Sequence, residues 1–193
     1  MTFEHPDKTW LVELVKRVGL VTRPGAPFTL ASGATSIHYL DGKRVLACGR
    51  DLLRVAGMAL DQVPEPFDAV GGLTMGADAL AVGVACAASL RGAEVRWFSV
   101  RKEPKDHGLA GRWVVGADLG ECRRLLLVDD VVTTGGSTIR AIDAIRSDHP
   151  ETEIVAAVCL VDRGGGARER LAELGIEYRP LLTCDDLGIP PVG

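Results

Sequence analysis

Nowhere in this 193-residue sequence is there an apolar run approaching the ~20 residues needed to cross a bilayer. Its first ten residues, MTFEHPDKTW, have neither the basic start nor the apolar stretch of a secretion signal. Cysteines are few and scattered: the five (Cys48, Cys86, Cys122, Cys159, Cys184) form no C-x-x-C pair, so neither a zinc cage nor a disulfide framework is expected. The four histidines have no metal-ligand spacing. A cytoplasmic protein with reduced thiols is the expectation. Positive charge is not in excess either, with 22 Lys and Arg against 26 Asp and Glu for a net charge of −4. That balance weighs against wholesale binding to nucleic acid or to an anionic membrane. Two familiar phosphate-binding signatures are also missing: the G-K-[ST] of a Walker loop and a G-x-G-x-x-G after the first strand.

What is there fits one domain spanning residues 1–193, with 47% hydrophobic and 25% charged residues. TWLVELVKRVGL (9–20) places Trp10, Leu11, Leu14, Val15 and Val18 on one helical face. Residues 27–49 show short extended pieces without helical period, and small strands outside the main sheet are predicted there. A helix over 50–63 is closed by Pro64 and Pro66. From there strands and helices alternate: strand 67–74, helix 77–92, strand 93–100, a polar segment, strand 123–130, helix 138–147, strand 153–163, helix 167–175 and a final strand 176–183. Such alternation implies right-handed crossovers and an α/β fold, with a parallel sheet covered by helices on both faces. The unbroken apolar runs LLLV and IVAAVCLV fit strands buried on both sides.

Ligands of open parallel sheets bind beyond the carboxyl ends of the strands. Four unusual stretches fall at that edge: GGLTMG (71–76), RKEPKDHG (101–108), Asp129-Asp130 with the loop after them, and DRGGG (162–166). In LLLVDDVVTTGGST (125–138), two glycines open a helix whose unpaired N–H groups favour an anion, and four hydroxyls add donors. A phosphate monoester fits that cradle, and Asp129 and Asp130 can accept hydrogen bonds from vicinal sugar hydroxyls. Together they describe a site for a ribose 5-phosphate; the plainer alternative is a strand–turn–helix junction with an acidic cap. Arg101, Lys102, Lys105 and His107 concentrate positive charge within seven residues. They suit either a solvated loop or a lid that neutralises a polyphosphate and excludes water. Arg163, after the next strand, can pair bidentately with a carboxylate, and GGLTMG offers backbone donors to a pyrophosphate.

These stretches together resemble the type I phosphoribosyltransferases. LLLVDDVVTTGGST is similar to that family's motif for phosphoribosyl pyrophosphate. VRKEPKDHG resembles the mobile catalytic loop of the orotate phosphoribosyltransferase branch, FTLASGATSIHYLD (28–41) its hood over the base, and VDRGGGARE (161–169) its later strand. The resemblance implies the type I fold with a small hood, contributed mainly by residues 1–47. It implies transfer of phosphoribosyl to orotate, a step of pyrimidine nucleotide biosynthesis. Asp129 and Asp130 would then hold the ribose hydroxyls. Val131, Val132, Thr133, Thr134, Gly135, Gly136 and Ser137 would hold the 5-phosphate, with Thr133 also near the base. Arg101, Lys102, Lys105 and His107 would act on pyrophosphate, Lys105 foremost as the leaving group departs, and Arg163 would meet orotate. Magnesium would ride on substrate oxygens, with no direct side-chain ligand. The loop would serve the partner's site in a homodimer. Ala31 and Met75 stand where some members carry lysines, which leaves the pyrophosphate more dependent on the loop cations. The rival expectations are a sister enzyme for another base and a regulator that binds phosphoribosyl pyrophosphate without turnover.

Overall fold

The computed structural model describes residues 7–30, 33, 35–63, 66–103 and 113–192. Helix α1, Lys8–Leu14, starts where the Asp7 carboxylate accepts the Trp10 N–H at 2.8 Å, and it continues through one π-helical turn, Val15–Gly19. Leu11, Leu14 and Val15 are buried as the helical period predicts, while Trp10 is only partly so. Four short strands follow outside the main sheet: β1 (Leu20–Thr22), β2 (Phe28–Thr29), β3 (Thr35–Ser36) and β4 (His38–Leu40). β1 pairs antiparallel with β4, and β2 with β3, which makes the small hood. A four-residue helix α2, Gly42–Val45, then forms where only extended chain was expected. It is too short to show a hydrophobic period, and a local cap starts it: Asp41 accepts the Arg44 N–H at 3.2 Å.

The rest follows the alternation. Helix α3 (Gly49–Asp61), strand β5 (Ala69–Gly71), helix α4 (Asp78–Leu90) and strand β6 (Arg96–Val100) come first. Strand β7 (Val114–Gly116), strand β8 (Arg124–Val132), helix α5 (Gly136–Asp148) and strand β9 (Glu153–Asp162) come next. Helix α6 (Ala167–Glu173), strand β10 (Tyr178–Thr183) and the short α7 (Cys184–Leu187) complete it. The main sheet has the order β10-β9-β8-β5-β6-β7. Its strands run parallel except β7, which pairs antiparallel with β6 at the edge. The sequence reading had passed over β7 as part of a polar segment, because a three-residue edge strand carries no buried alternation. An antiparallel edge on a parallel sheet is common in such folds.

β8 lies inside the sheet, and its apolar run divides between two cores. Leu126 and Val128 pack with Val70, Leu80, Val84 and Val55, on the side covered by α3 and α4. Leu125 and Leu127 pack with Phe98, Ile142, Ile145 and Leu171, on the side of α5 and α6. At about 25 cal/mol per Å² of apolar surface, burial on two faces anchors this strand strongly. What β8 carries at its far end is therefore held on a rigid base.

Candidate functional site

Asp129 and Asp130 are the sixth and seventh residues of β8, and both are buried, at 7% and 6% exposure. The strand extends two residues beyond them, further than the sequence reading had it. Three arrangements ease the repulsion between the carboxylates. Asp129 Oδ1 accepts the Asp130 N–H at 2.9 Å, and Asp130 Oδ1 accepts the Val131 N–H at 2.8 Å. Lys43, from α2 of the hood, donates to Asp130 Oδ2 at 3.0 Å. Burial, reinforced by the charge of Asp130, pushes Asp129 up to about 8, so near neutral pH the pair holds a proton. Lys43 moves the other way. Burial opposes its charge, but the Asp130 carboxylate outweighs that and raises it above its ordinary value.

Two backbone segments press on the acids. A Cβ at Gly76 would lie 2.5 Å from Asp129 Oδ1 and 2.8 Å from Asp130 Oδ1. A Cβ at Gly42 would lie 2.7 Å from the Asp130 Cβ. Only glycine permits either approach. The Gly76 loop is tied down by Asp78 at the start of α4, which accepts from Thr74 Oγ1 at 2.8 Å and from Ser99 Oγ at 2.7 Å. The Thr74–Met75 peptide is cis, and Met75 is 68% exposed.

Beyond β8 the chain turns through Gly135, in the left-handed region at φ 75°, into α5. A cavity of about 150 Å³ opens here, lined by Asp129, by each residue from 131 to 138 and by Arg140. Amides at the start of a helix point into such a space and favour an anion. The loop is propped from α6, where Arg170 donates to the Thr134 carbonyl at 2.8 Å. Arg140, whose guanidinium reaches Ser137 Oγ at 3.4 Å, adds a cation that the sequence reading did not single out. Its only signal was a lone arginine in the second turn of α5.

Arg163 is not at the surface. It follows β9, is 2% exposed, and donates from Nη2 to Ser36 Oγ of β3 at 3.1 Å. Its Nε is buried without a partner. Burial lowers its pKa from the ordinary value, and the adjacent Cys184 thiol partly offsets that. Ser36 and Lys43 were both missed from sequence, because each meets its partner only through the tertiary fold.

Of the proposed lid cations, Arg101 and Lys102 line a second cavity of about 270 Å³ with Leu73, Trp113 and residues of α5, among them Arg140. Arg140 borders both cavities, so the root of the proposed lid adjoins the cavity at the end of β8. The Arg101 N–H bonds the Trp113 carbonyl at 2.8 Å, which brings the two ends of the segment together. Lys105 and His107 lie outside the described residues, as does Ala31. Among the described residues no cluster of three or more His, Cys, Asp or Glu side chains is arranged to hold a metal ion, and no helix is long and apolar enough to cross a membrane.

Residues 54–174 match the family model of the phosphoribosyl transferase domain. The chain is 41% identical to orotate phosphoribosyltransferase of Streptomyces avermitilis, over 83% of this chain and 87% of that one. The chain belongs to the orotate phosphoribosyltransferase branch of the phosphoribosyltransferase family. Among solved structures it is similar to orotate phosphoribosyltransferase of Mycobacterium tuberculosis H37Rv in complex with Fe(III) dicitrate. The TM-score is 0.79 at 34% identity, covering 95% of this chain and 100% of that one. The same enzyme in complex with 5-phospho-alpha-D-ribosyl 1-diphosphate superposes with a TM-score of 0.76 at 32% identity, covering 95% and 100%.

Proposed function

We propose that this protein transfers the 5-phosphoribosyl group of phosphoribosyl pyrophosphate to N1 of orotate, releasing pyrophosphate and forming orotidine 5′-monophosphate. The observation that carries this reading is the junction at the end of β8, where two buried carboxylates run directly into an amide-lined cavity of about 150 Å³. That junction offers a vicinal diol and a phosphate monoester adjacent partners on one rigid strand. The 5-phosphate takes the N–H groups and hydroxyls of residues 131–137, with Arg140 at the rim. Asp129 and Asp130 accept from the vicinal ribose hydroxyls, and the proton the pair holds gives it a donor as well. Both orient C1 for displacement, and the negative charge the pair keeps stabilises C1 as it becomes cationic.

Orotate brings a carboxylate, and Arg163 is a buried guanidinium with an unpartnered Nε–H. Leaving such a donor unsatisfied costs about 1–3 kcal/mol, which a ligand anion recovers. In this reading the orotate carboxylate competes with Ser36 Oγ for the guanidinium.

Magnesium fits as a companion of the substrate rather than a resident of the chain. The Oδ1 atoms of both acids already accept backbone N–H groups and Asp130 Oδ2 already accepts Lys43, so the pair is not a ready metal cage. Carried on diphosphate and ribose oxygens, the ion would neutralise the departing charge. Arg101, Lys102, Lys105 and His107 do the rest of that work, Lys105 chiefly by holding the leaving group. The lid serves the neighbouring subunit of a homodimer, and the protein works in the cytoplasm. The test is the loss of orotate absorbance when purified protein, phosphoribosyl pyrophosphate and magnesium are combined, with adenine and hypoxanthine assayed in parallel. Turnover of orotate alone is expected; turnover of a purine and not of orotate would reassign the enzyme.

A further inference from the structure

The lysine at the end of the hood has a specific job in this geometry. Lys43 is the second residue of α2, its side chain is 56% exposed, and its ammonium nonetheless sits 3.0 Å from a carboxylate that is only 8% exposed. Its neighbour Gly42 allows the approach, because any side chain there would strike Asp130. Lys43 is thus the hood's cation on the acid pair, and it contacts only one of the two acids. On an acid pair whose Oδ1 atoms are both committed to backbone N–H groups, one cation on one Oδ2 removes the equivalence of the two carboxylates.

We propose that Lys43 is a positioning residue for sugar binding: by pairing with Asp130 Oδ2 it holds that carboxylate in place as the acceptor for a ribose hydroxyl and makes the two acids inequivalent. It does so without touching the base, and it makes sugar binding depend on the seating of α2. This assignment rests on the reading of the β8 junction as a phosphoribosyl site.

The groups facing the pair are few. On the strand, Asp129 and Asp130 face each other. From the hood come Lys43 and the Tyr39 and Asp41 that sense its charge. From β9 comes Cys159, and from β10 Tyr178; Asp162 of β9 acts on both of these. Burial keeps the Cys159 thiol and the Tyr178 hydroxyl protonated, each far above its ordinary value, and they bond each other at 2.9 Å. Asp162 is also raised by burial, but its carboxylate is tied to the Gly164 N–H. Lys43 is therefore the cation that lowers Asp129 in this set, and its removal must raise the pH at which the pair gives up its last proton.

The experiment compares Lys43→Met and Lys43→Arg with wild type, by steady-state kinetics in both substrates and by calorimetric titration of phosphoribosyl pyrophosphate with magnesium. Lys43→Met is expected to raise KM and Kd for the sugar diphosphate about tenfold, the size of a charge-assisted contact. KM for orotate should stay within about twofold. The alkaline change in the pH dependence of sugar-diphosphate binding should move to higher pH. Lys43→Arg should restore most of the affinity. In the Asp130→Asn background, Lys43→Met should add less than about twofold, because its target is already gone. A purely structural role predicts instead a lower Tm, equal losses for both substrates and an unmoved pH profile, and that outcome overturns the proposal. So does a Lys43→Met enzyme with wild-type affinity. If the wild-type protein itself neither binds the sugar diphosphate nor consumes orotate, the functional reading falls and the proposal falls with it.

Discussion

From Asp129 to Arg140 the proposed phosphate cradle is one continuous stretch of chain. The hood reaches the same crevice through Lys43 and Ser36, which lie 87 and 127 residues from the groups they touch. The cradle stands on a strand whose leucines are buried on both faces, and its loop is closed by a glycine and propped by Arg170. The hood is built of strands two or three residues long, held to the sheet by α2 and by single polar contacts. Rigidity belongs to the β8–α5 junction. The hood supplies a cation to one acid and a hydroxyl to the buried arginine, and in the proposed reading these adjust the grip on the ligand. Two regions of such unequal construction should respond differently to substitution.

The comparison breaks most visibly at the point where backbone presses on the acids. Gly76→Ala would drive a Cβ against both carboxylates, so it is expected to lower kcat/KM about a hundredfold while the far-ultraviolet circular dichroism stays native. An unimpaired Gly76→Ala enzyme would mean that the acids can move aside without cost. On the hood side, Arg163→Lys loses the planar fork that a carboxylate engages. KM for orotate should rise about tenfold, with KM for phosphoribosyl pyrophosphate nearly constant. Equal effects on both substrates would erase the division between base half and sugar half.

The smallest effect concerns pH and stability. Asp129 has a folded-state pKa of about 8 against an ordinary 3.8. Being raised, it contributes stability that is fully present below about pH 4 and lost as the pH climbs through about 8. Asp129→Asn has no proton to lose. Without ligand, the variant's Tm relative to wild type should improve between pH 5 and pH 8.5, by about 5 °C for a chain of this size. A difference that does not change with pH would show that Asp129 is ionised in the folded protein throughout.

How much of this was legible in the sequence follows the same division. The order of strands and helices from residue 50 onward was readable, because LLLV and IVAAVCLV announce strands buried on two faces and α3 repeats its apolar residues at helical spacing. The junction of β8 with α5 stood out because acids, hydroxyls and glycines lie consecutively there. Four features escaped. α2 and α7 are single capped turns, β7 is three residues on an open edge, and the extension of β8 past the acids runs against the expectation that charge ends a buried strand. At the site, Arg163 was expected on a strand end but not buried. Lys43 and Ser36 gave no sign, since a lone lysine or serine in a polar stretch acquires a partner only when distant chain folds beside it. The roles assigned to Lys105 and His107 rest on sequence, because they lie outside the described residues.

The central claim, that the acids of β8 hold an activated ribose, is tested most directly by titrating phosphoribosyl pyrophosphate and magnesium into wild type and into the Asp129→Asn, Asp130→Asn double variant by calorimetry. Loss of two carboxyl contacts, one of them charge-assisted, should weaken binding about a hundredfold in the double variant, with its fold intact. Undiminished affinity in a folded double variant would contradict the account.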